Sequence, residues 1–312
     1  MMSVVLPCYN RSALLARAID SALGQGGYAS QVIVVDDGST DNTKEVCARY
    51  GSHIEYIWQA NAGPSMARNV GVNYARNPWV AFLDSDDYWT SSHLARIAKA
   101  IDETRGEACF YFSDMQMGEG NNCTKLWQMI NFVPPRPVHL TRNGTNWVFL
   151  AQQPTMLQCS VFRRDAWKES GGLDPRFHLR HDTELFCRLG IEGKICAVSG
   201  VGCVRTEDDI SDVRLTTAVH PSTAAHWEET IMMWRSLLRR FPNLPPKYRR
   251  IARFHLASAH WRLIRTYWSS RKLSRSIWHL PMVGWVDPLF ALSLLAHRRS
   301  DANRPAVFPE YE

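Results

Sequence analysis

The chain has 312 residues, 45% apolar and 21% charged, with a formal net charge of +6; these values exclude a disordered or fibrous chain and allow a substantial core plus an appendage. Eight cysteines without a Cys-x-x-Cys pair argue against a zinc centre and for a reduced, cytosolic protein. No stretch reaches the roughly 18 uninterrupted apolar residues of a membrane span, and a strand almost directly after Met1 leaves no signal peptide.

In chain order, the hydrophobic pattern predicts strands at Val4–Leu6, Val32–Val35, Ile54–Trp58, Val80–Leu83 and Ala108–Ser113. Helices fall between them at Ser12–Leu23, Asn42–Arg49, Pro64–Ala75 and Ser91–Thr104. Such alternation gives an α/β fold, a mostly parallel Rossmann-like sheet with helices on both faces. Residues 116–155, with Pro134-Pro135-Arg136-Pro137, read as a long irregular segment, and loops this long are usually functional or mobile. Helices resume at Arg164–Ser170 and Asp182–Ile191, and Pro242 to Pro246 divides a further helical region. The expected organisation is a domain over 1–215, with halves 1–115 and 116–215, and a C-terminal helical region over 216–312.

The strand ends carry the chemistry. The apolar run Val80 to Leu83 ends in Asp84-Ser85-Asp86-Asp87. Ligands of parallel sheets bind in the crevice at the carboxyl ends of the strands. Like charges this close repel unless a cation lies between them, and carboxylates suit Mg or Mn, which join them to substrate phosphates. A metal–diphosphate is the simplest ligand. The second strand runs into Asp36-Asp37-Gly38-Ser39-Thr40-Asp41, a turn whose Asp41 or Asn42 caps the next helix. The first ends in Pro7-Cys8-Tyr9-Asn10-Arg11. Tyr9, Asp37 and Asp84 thus reach one edge: an aromatic face for a base, a carboxylate for a base N–H or ribose hydroxyl, and a carboxylate–metal pair for a diphosphate.

At these residues the chain resembles a family 2 glycosyltransferase of the GT-A fold. The resemblance covers roughly residues 3 to 211. It rests on Val5-Leu6-Pro7-Cys8-Tyr9-Asn10, Val34-Val35-Asp36-Asp37-Gly38-Ser39-Thr40-Asp41, Asn61-Ala62-Gly63-Pro64-Ser65-Met66-Ala67-Arg68-Asn69, Phe82-Leu83-Asp84-Ser85-Asp86-Asp87 and Gly171-Gly172-Leu173-Asp174. It implies that Tyr9 stacks on the nucleobase, Asp37 binds its edge, Arg68 lies near the nucleotide, Asp84 lies near the ribose and Asp86 holds the metal. Pro7, Asn10, Arg11 and Ser85 join the nucleotide-sugar set through the same motifs. Arg180-His181-Asp182-Thr183-Glu184 resembles the family's Glu-Asp pair opening a helix, which makes Asp182 the general base. His181 departs from that pair and reads as a polar neighbour. Arg205 fits an arginine that closes over the diphosphate, whereas Glu207 stands where many relatives carry a His.

Charge is uneven. Residues 230–300 hold fourteen Lys/Arg and one Asp, and six of the twelve tryptophans fall at positions 227 to 285. Basic residues interleaved with Trp and Leu suggest an anionic membrane surface for residues 221–300, against a plain helical bundle. No nucleic-acid motif is present. The expected function is an inverting, metal-dependent transfer of sugar from a nucleoside-diphosphate sugar, UDP-linked, to a glycan or lipid-linked acceptor. The competing expectation is a catalytically silent sugar-nucleotide-binding subunit at the membrane. A nucleotidyltransferase would need a Gly-rich, basic loop after the first strand, which Pro7-Cys8-Tyr9-Asn10 is not.

Overall fold

The computed structural model describes residues 1–120, 123–150, 152–206, 223–270 and 279–286. Glu207 with its acidic loop, and residues 271–278 and 287–300 of the basic segment, lie outside these. The chain divides into two compact units, Met1–Ala218 and Val219–Glu312.

The first unit opens with β1 (Met2–Cys8), α1 (Ser12–Leu23), β2 (Ala29–Asp36), α2 (Thr43–Ala48), β3 (Glu55–Trp58), α3 (Pro64–Tyr74) and β4 (Trp79–Phe82). Then come β5 (Asp87–Trp89), α4 (His93–Glu103) and β6 (Phe110–Met117). The stretch expected to be irregular carries four short elements: β7 (Thr124–Lys125), α5 (Leu126–Met129), β8 (Val138–Thr141) and α6 (Thr145–Val148). The unit closes with β9 (Ser160–Arg163), α7 (Arg164–Ser170), α8 (His181–Glu192) and β10 (Ile195–Arg205).

One sheet runs in the order β3-β2-β1-β4-β9-β6-β10-β5, with β7 on β6 and β8 on β10. Its first half, β3-β2-β1-β4, is parallel throughout. The second half is mixed, because β9 lies antiparallel between β4 and β6 while β6 and β10 run parallel.

Every residue of β1 is buried, as a strand covered on both faces requires. Met2, Val4 and Leu6 point one way, into a core with Leu15, Ala18, Ile19 and Ala22 of α1. Val5 points the other way, against α3. A Cβ on Gly71 would stand 2.2 Å from Val5 Cγ1, so only glycine lets α3 lie this close to β1. Each fully buried Leu or Ile contributes about 1.5–3 kcal/mol. Asn42 is the N-cap of α2 and its side chain makes no capping bond; from the residue before it, Asp41 Oδ1 accepts from the Thr43 amide at 3.1 Å and Oδ2 from the Ser12 amide at 2.9 Å, joining the starts of α1 and α2.

The second unit contains α9 (Ala224–Arg240), α10 (Pro246–Ser269) and α11 (Leu280–Val286). Ile231, Met233, Trp234, Leu256, Leu263 and Ile264 are buried, and Trp234 stacks on His255 at 4.8 Å between centroids. Trp227 and Trp261 are half-buried and Trp268 is exposed. Arg235, Arg239, Arg240, Arg250, Arg253, Arg262 and Arg265 face outward. Among the described residues no helix is long and apolar enough to cross a membrane.

Candidate active site

The parallel register sets Cys8 beside Asp36 and Val5 beside Phe82. The residues that follow β1, β2 and β4 therefore emerge at one edge. There they line a cleft of about 510 Å³. Pro7, Tyr9, Arg11 and Asp37 form part of its wall; Arg68, Asp84, Ser85, Asp86 and Arg205 form the rest of the expected set. Tyr9 is 49% exposed, leaving a ring face available for stacking.

Asn10 is the member of that set that does not line the cleft. It is held in the left-handed region at φ 52°, which Asn tolerates. Its amide donates to Ser39 Oγ at 2.9 Å and its Oδ1 accepts from the Thr40 amide at 2.8 Å. The side chain is committed to holding two strand-end loops together.

Asp37 is buried and accepts three hydrogen bonds: from Gln59 Nε2 at 2.7 Å, the Ala62 amide at 2.9 Å and the Gly63 amide at 2.8 Å. It therefore fixes the Gln59–Gly63 loop as well as facing the cleft. Gly38 makes this possible, since at φ 82° a Cβ there would press on the Asn61 amide at 2.9 Å.

Arg68 is buried on α3, and its Nη2 lies 2.5 Å from Asp84 Oδ1. Carboxylate oxygens of Asp84, Asp86 and Asp87 come within 4.8 Å of one another. Asp87 also accepts from Gln158 Nε2 at 3.1 Å. Three converging carboxylates are the donor set that a hard divalent cation such as Mg or Mn prefers, and they fit one.

Asp182 stands in the first turn of α8 and is not part of the cleft lining. Its Oδ1 accepts from the Thr183 amide at 2.6 Å. Two clamps place this helix start. Asn69, next to Arg68, exchanges hydrogen bonds with the Leu173 backbone at 2.7 and 3.0 Å. Arg188 of α8 pairs with Glu184 and donates to the carbonyls of Ser170 and Gly172 at 2.5 and 2.6 Å. The Gly171–Asp174 corner thereby links α3 to α8. His181 reflects the result: burial pushes its pKa down, Asp182 pushes it up, and Arg68 and Asp84 of the cleft also act on it.

Sequence reasoning missed Asp87, Gln158, Met156 and Asn61 as wall residues. Asp87 adjoins the expected pair and Asn61 lies in a quoted motif, so both were within reach. Gln158 and Met156 arrive from a segment with no local signal, through contacts 71 residues apart in the case of Gln158 and Asp87.

The family model described as Glycosyl transferase family 2 matches residues 3–171. Chondroitin synthase of Pasteurella multocida is 27% identical over 202 residues, covering 62% of this chain and 19% of that protein. The glycosyltransferase GlyA of Streptococcus pneumoniae is 36% identical over 109 residues, covering 34% of this chain and 16% of the relative. The chain thus spans under a fifth of the length of these relatives. Among solved structures, S. aureus TarS 1-349 in complex with UDP-GlcNAc superposes with a TM-score of 0.63 at 17% identity, covering 96% of this chain and 93% of that one. The mannosyltransferase PcManGT of Pyrobaculum calidifontis in complex with GDP-Man and Mn2+ superposes at 0.56 and 16% identity, covering 96% and 88%. Both bear out the GT-A fold.

Proposed function

The chain belongs to glycosyl transferase family 2, and on that premise we propose that it moves a sugar, with inversion, from a nucleoside-diphosphate sugar to a hydroxyl of a glycan or lipid-linked acceptor. The observation that carries this reading is the convergence of Tyr9, Asp37, Arg68 and three carboxylates on one cleft. Tyr9 stacks on the base. Asp37, with the Gln59–Gly63 loop it orders, holds the base edge. Arg68 steers Asp84 toward the ribose. Asp84, Asp86 and Asp87 would hold Mg or Mn, which when bound offsets the charge of the leaving diphosphate; Arg205 approaches the same group. The complex of TarS with UDP-GlcNAc favours a UDP-linked donor.

Asp182 is the general base. It takes the proton of the acceptor hydroxyl as that oxygen attacks the anomeric carbon, from the face opposite the nucleotide. The second unit, with its outward arginines, docks the enzyme on an anionic membrane surface where a lipid-linked acceptor lies. His181 in the acidic member's place is the feature that favours the second reading, a silent binding subunit.

Release of nucleoside diphosphate from a panel of nucleotide sugars, with manganese and an acceptor extract, separates the two. Transfer activity from a UDP-sugar supports the enzyme. Tight UDP-sugar binding with neither transfer nor hydrolysis supports the silent subunit.

A further inference from the structure

Thr206 follows Arg205 at the end of β10 and is 1% exposed. Its hydroxyl donates to the backbone carbonyl of Asp86 at 2.8 Å and accepts from Arg17 Nη2 at 2.9 Å. Arg17 comes from α1, on the far side of the sequence. Its guanidinium also lies over the Tyr88 ring at 5.2 Å, two residues beyond Asp86, and 3.8 Å from Glu119. Arg205 itself stands opposite Asp87 in the antiparallel β5–β10 pair. Three parts of the chain that are remote in sequence are thus joined at one hydroxyl. They are the carboxylate turn after β4, the end of the strand that carries Arg205, and the helix that follows β1.

A hydroxyl has one proton to give and lone pairs to accept with. By occupying an acceptor site, the Arg17 N–H directs the single Thr206 proton to the Asp86 carbonyl. Neither Arg17 nor Thr206 lines the cleft. We propose that Arg17 and Thr206 are positioning residues that set the spacing between the Asp86 carboxylate and the Arg205 guanidinium on either side of the donor diphosphate. This inference rests on the donor-site reading above. The turn is closed by the Asp87 amide, which donates to the Asp84 carbonyl at 3.1 Å, and the Thr206 hydroxyl adds a side-chain contact at Asp86 that ties it to the end of β10.

The test uses the full chain with Thr206→Val, which keeps shape and removes the hydroxyl, and Thr206→Ser, which restores it. Two readings are taken: amide hydrogen exchange across residues 84–88 without ligand, and UDP affinity by calorimetry with Mn2+ and with chelator. Thr206→Val should speed exchange at the turn and weaken Mn2+-dependent UDP binding by about two- to tenfold, the worth of one hydrogen bond. UDP binding in chelator should be unchanged, and Thr206→Ser should return both readings toward wild type. Arg17→Gln should reproduce a part of the Thr206→Val effect. Unchanged exchange in Thr206→Val overturns the proposal, as does an equal loss of UDP affinity with and without metal, or a Thr206→Ser variant as impaired as Thr206→Val. A wild-type protein that binds no UDP retracts the donor reading instead, and the exchange data still decide whether the latch exists.

Discussion

Arg68 Nη2 and Asp84 Oδ1, 2.5 Å apart, join α3 to the end of β4 at the cleft wall. Gly71, one turn further along α3, lets this helix lie against Val5 of β1. The Arg68 side chain is 8% exposed and that of Asp84 26%, so the arginine has little access to water. Removing one partner of a buried pair costs more than the pair contributes, because the other charge stays uncompensated. Arg68→Met should therefore destabilise the first unit by about 1–3 kcal/mol, scaled down for the partial exposure of Asp84. UDP affinity should fall with it. Thermal unfolding checks the first effect and calorimetry the second; a variant with wild-type Tm and wild-type affinity would remove the pair from both roles.

Asp182→Asn keeps the size of the side chain and its acceptor oxygen for the Thr183 amide, but cannot take a proton at neutral pH. Loss of a positioned base typically costs about 10²–10⁴-fold in rate. Donor affinity should be preserved, since Asp182 is not among the residues that line the donor cleft. Single-turnover transfer slowed less than about tenfold would exclude Asp182 as the base.

The parallel half of the sheet was legible because β1, β2 and β4 are short apolar runs closed by turn residues, a local signal. Helices α1 and α7 begin and end where the pattern places them. Of the second half, β6 was legible as the run Ala108–Ser113, whereas β5, β9 and β10 were not. β9 is four residues whose partners, Trp79–Ala81 and Phe110–Phe112, lie far away in sequence. β10 has its alternation broken by register shifts between Val198 and Cys203, around Gly200 and Gly202. Gly202 has its own cause, since a Cβ there would meet His93 Nδ1 at 2.4 Å. In the site, Tyr9, Asp37, Asp84 and Asp86 were readable from strand ends. Asn10 does not line the cleft, and its motif position does not reveal that its backbone N–H and its Oδ1 tie two loops. Gln158 was unreadable because only tertiary packing brings it to Asp87.

Two fully buried histidines make stability depend on acid. Burial, then Arg96, holds the His93 pKa at about 3. Burial, then Arg235 and His279, does the same for His260, at about 3. Both stay neutral in the folded state, whereas the unfolded chain takes up a proton near pH 6.5. The unfolded state therefore binds more protons below that pH, and stability falls as pH drops from about 6.5 toward 3. The loss is about 2 kcal/mol per histidine at pH 5 relative to pH 8. Urea unfolding at the two pH values measures it, and His260→Gln should flatten the dependence of the second unit. Stability that is level or rising between pH 8 and 5 would contradict this.

The outward arginines of α9 and α10 should bind anionic vesicles reversibly. Each basic residue near such a surface contributes up to about 1 kcal/mol, and only some can face it together. The protein should pellet with anionic liposomes at low salt, and less at high salt. Equal pelleting of a chain truncated near Ser211, or none by the full chain, would make the helical unit a packing element.

The cleft should hold a nucleoside diphosphate together with a divalent cation on Asp86. Thermal shift with UDP and GDP, in Mn2+ or in excess chelator, tests it on wild type and on Asp86→Ala. A ligand that binds only the folded state at about 100 times its Kd stabilises it by about 2.7 kcal/mol. The wild type should be stabilised by UDP with Mn2+, much less by UDP in chelator, and Asp86→Ala should lose the Mn2+-dependent part while unfolding cooperatively on its own. A wild-type shift that is the same in Mn2+ and in chelator, or an Asp86→Ala protein that keeps the full Mn2+-dependent shift, would contradict the account.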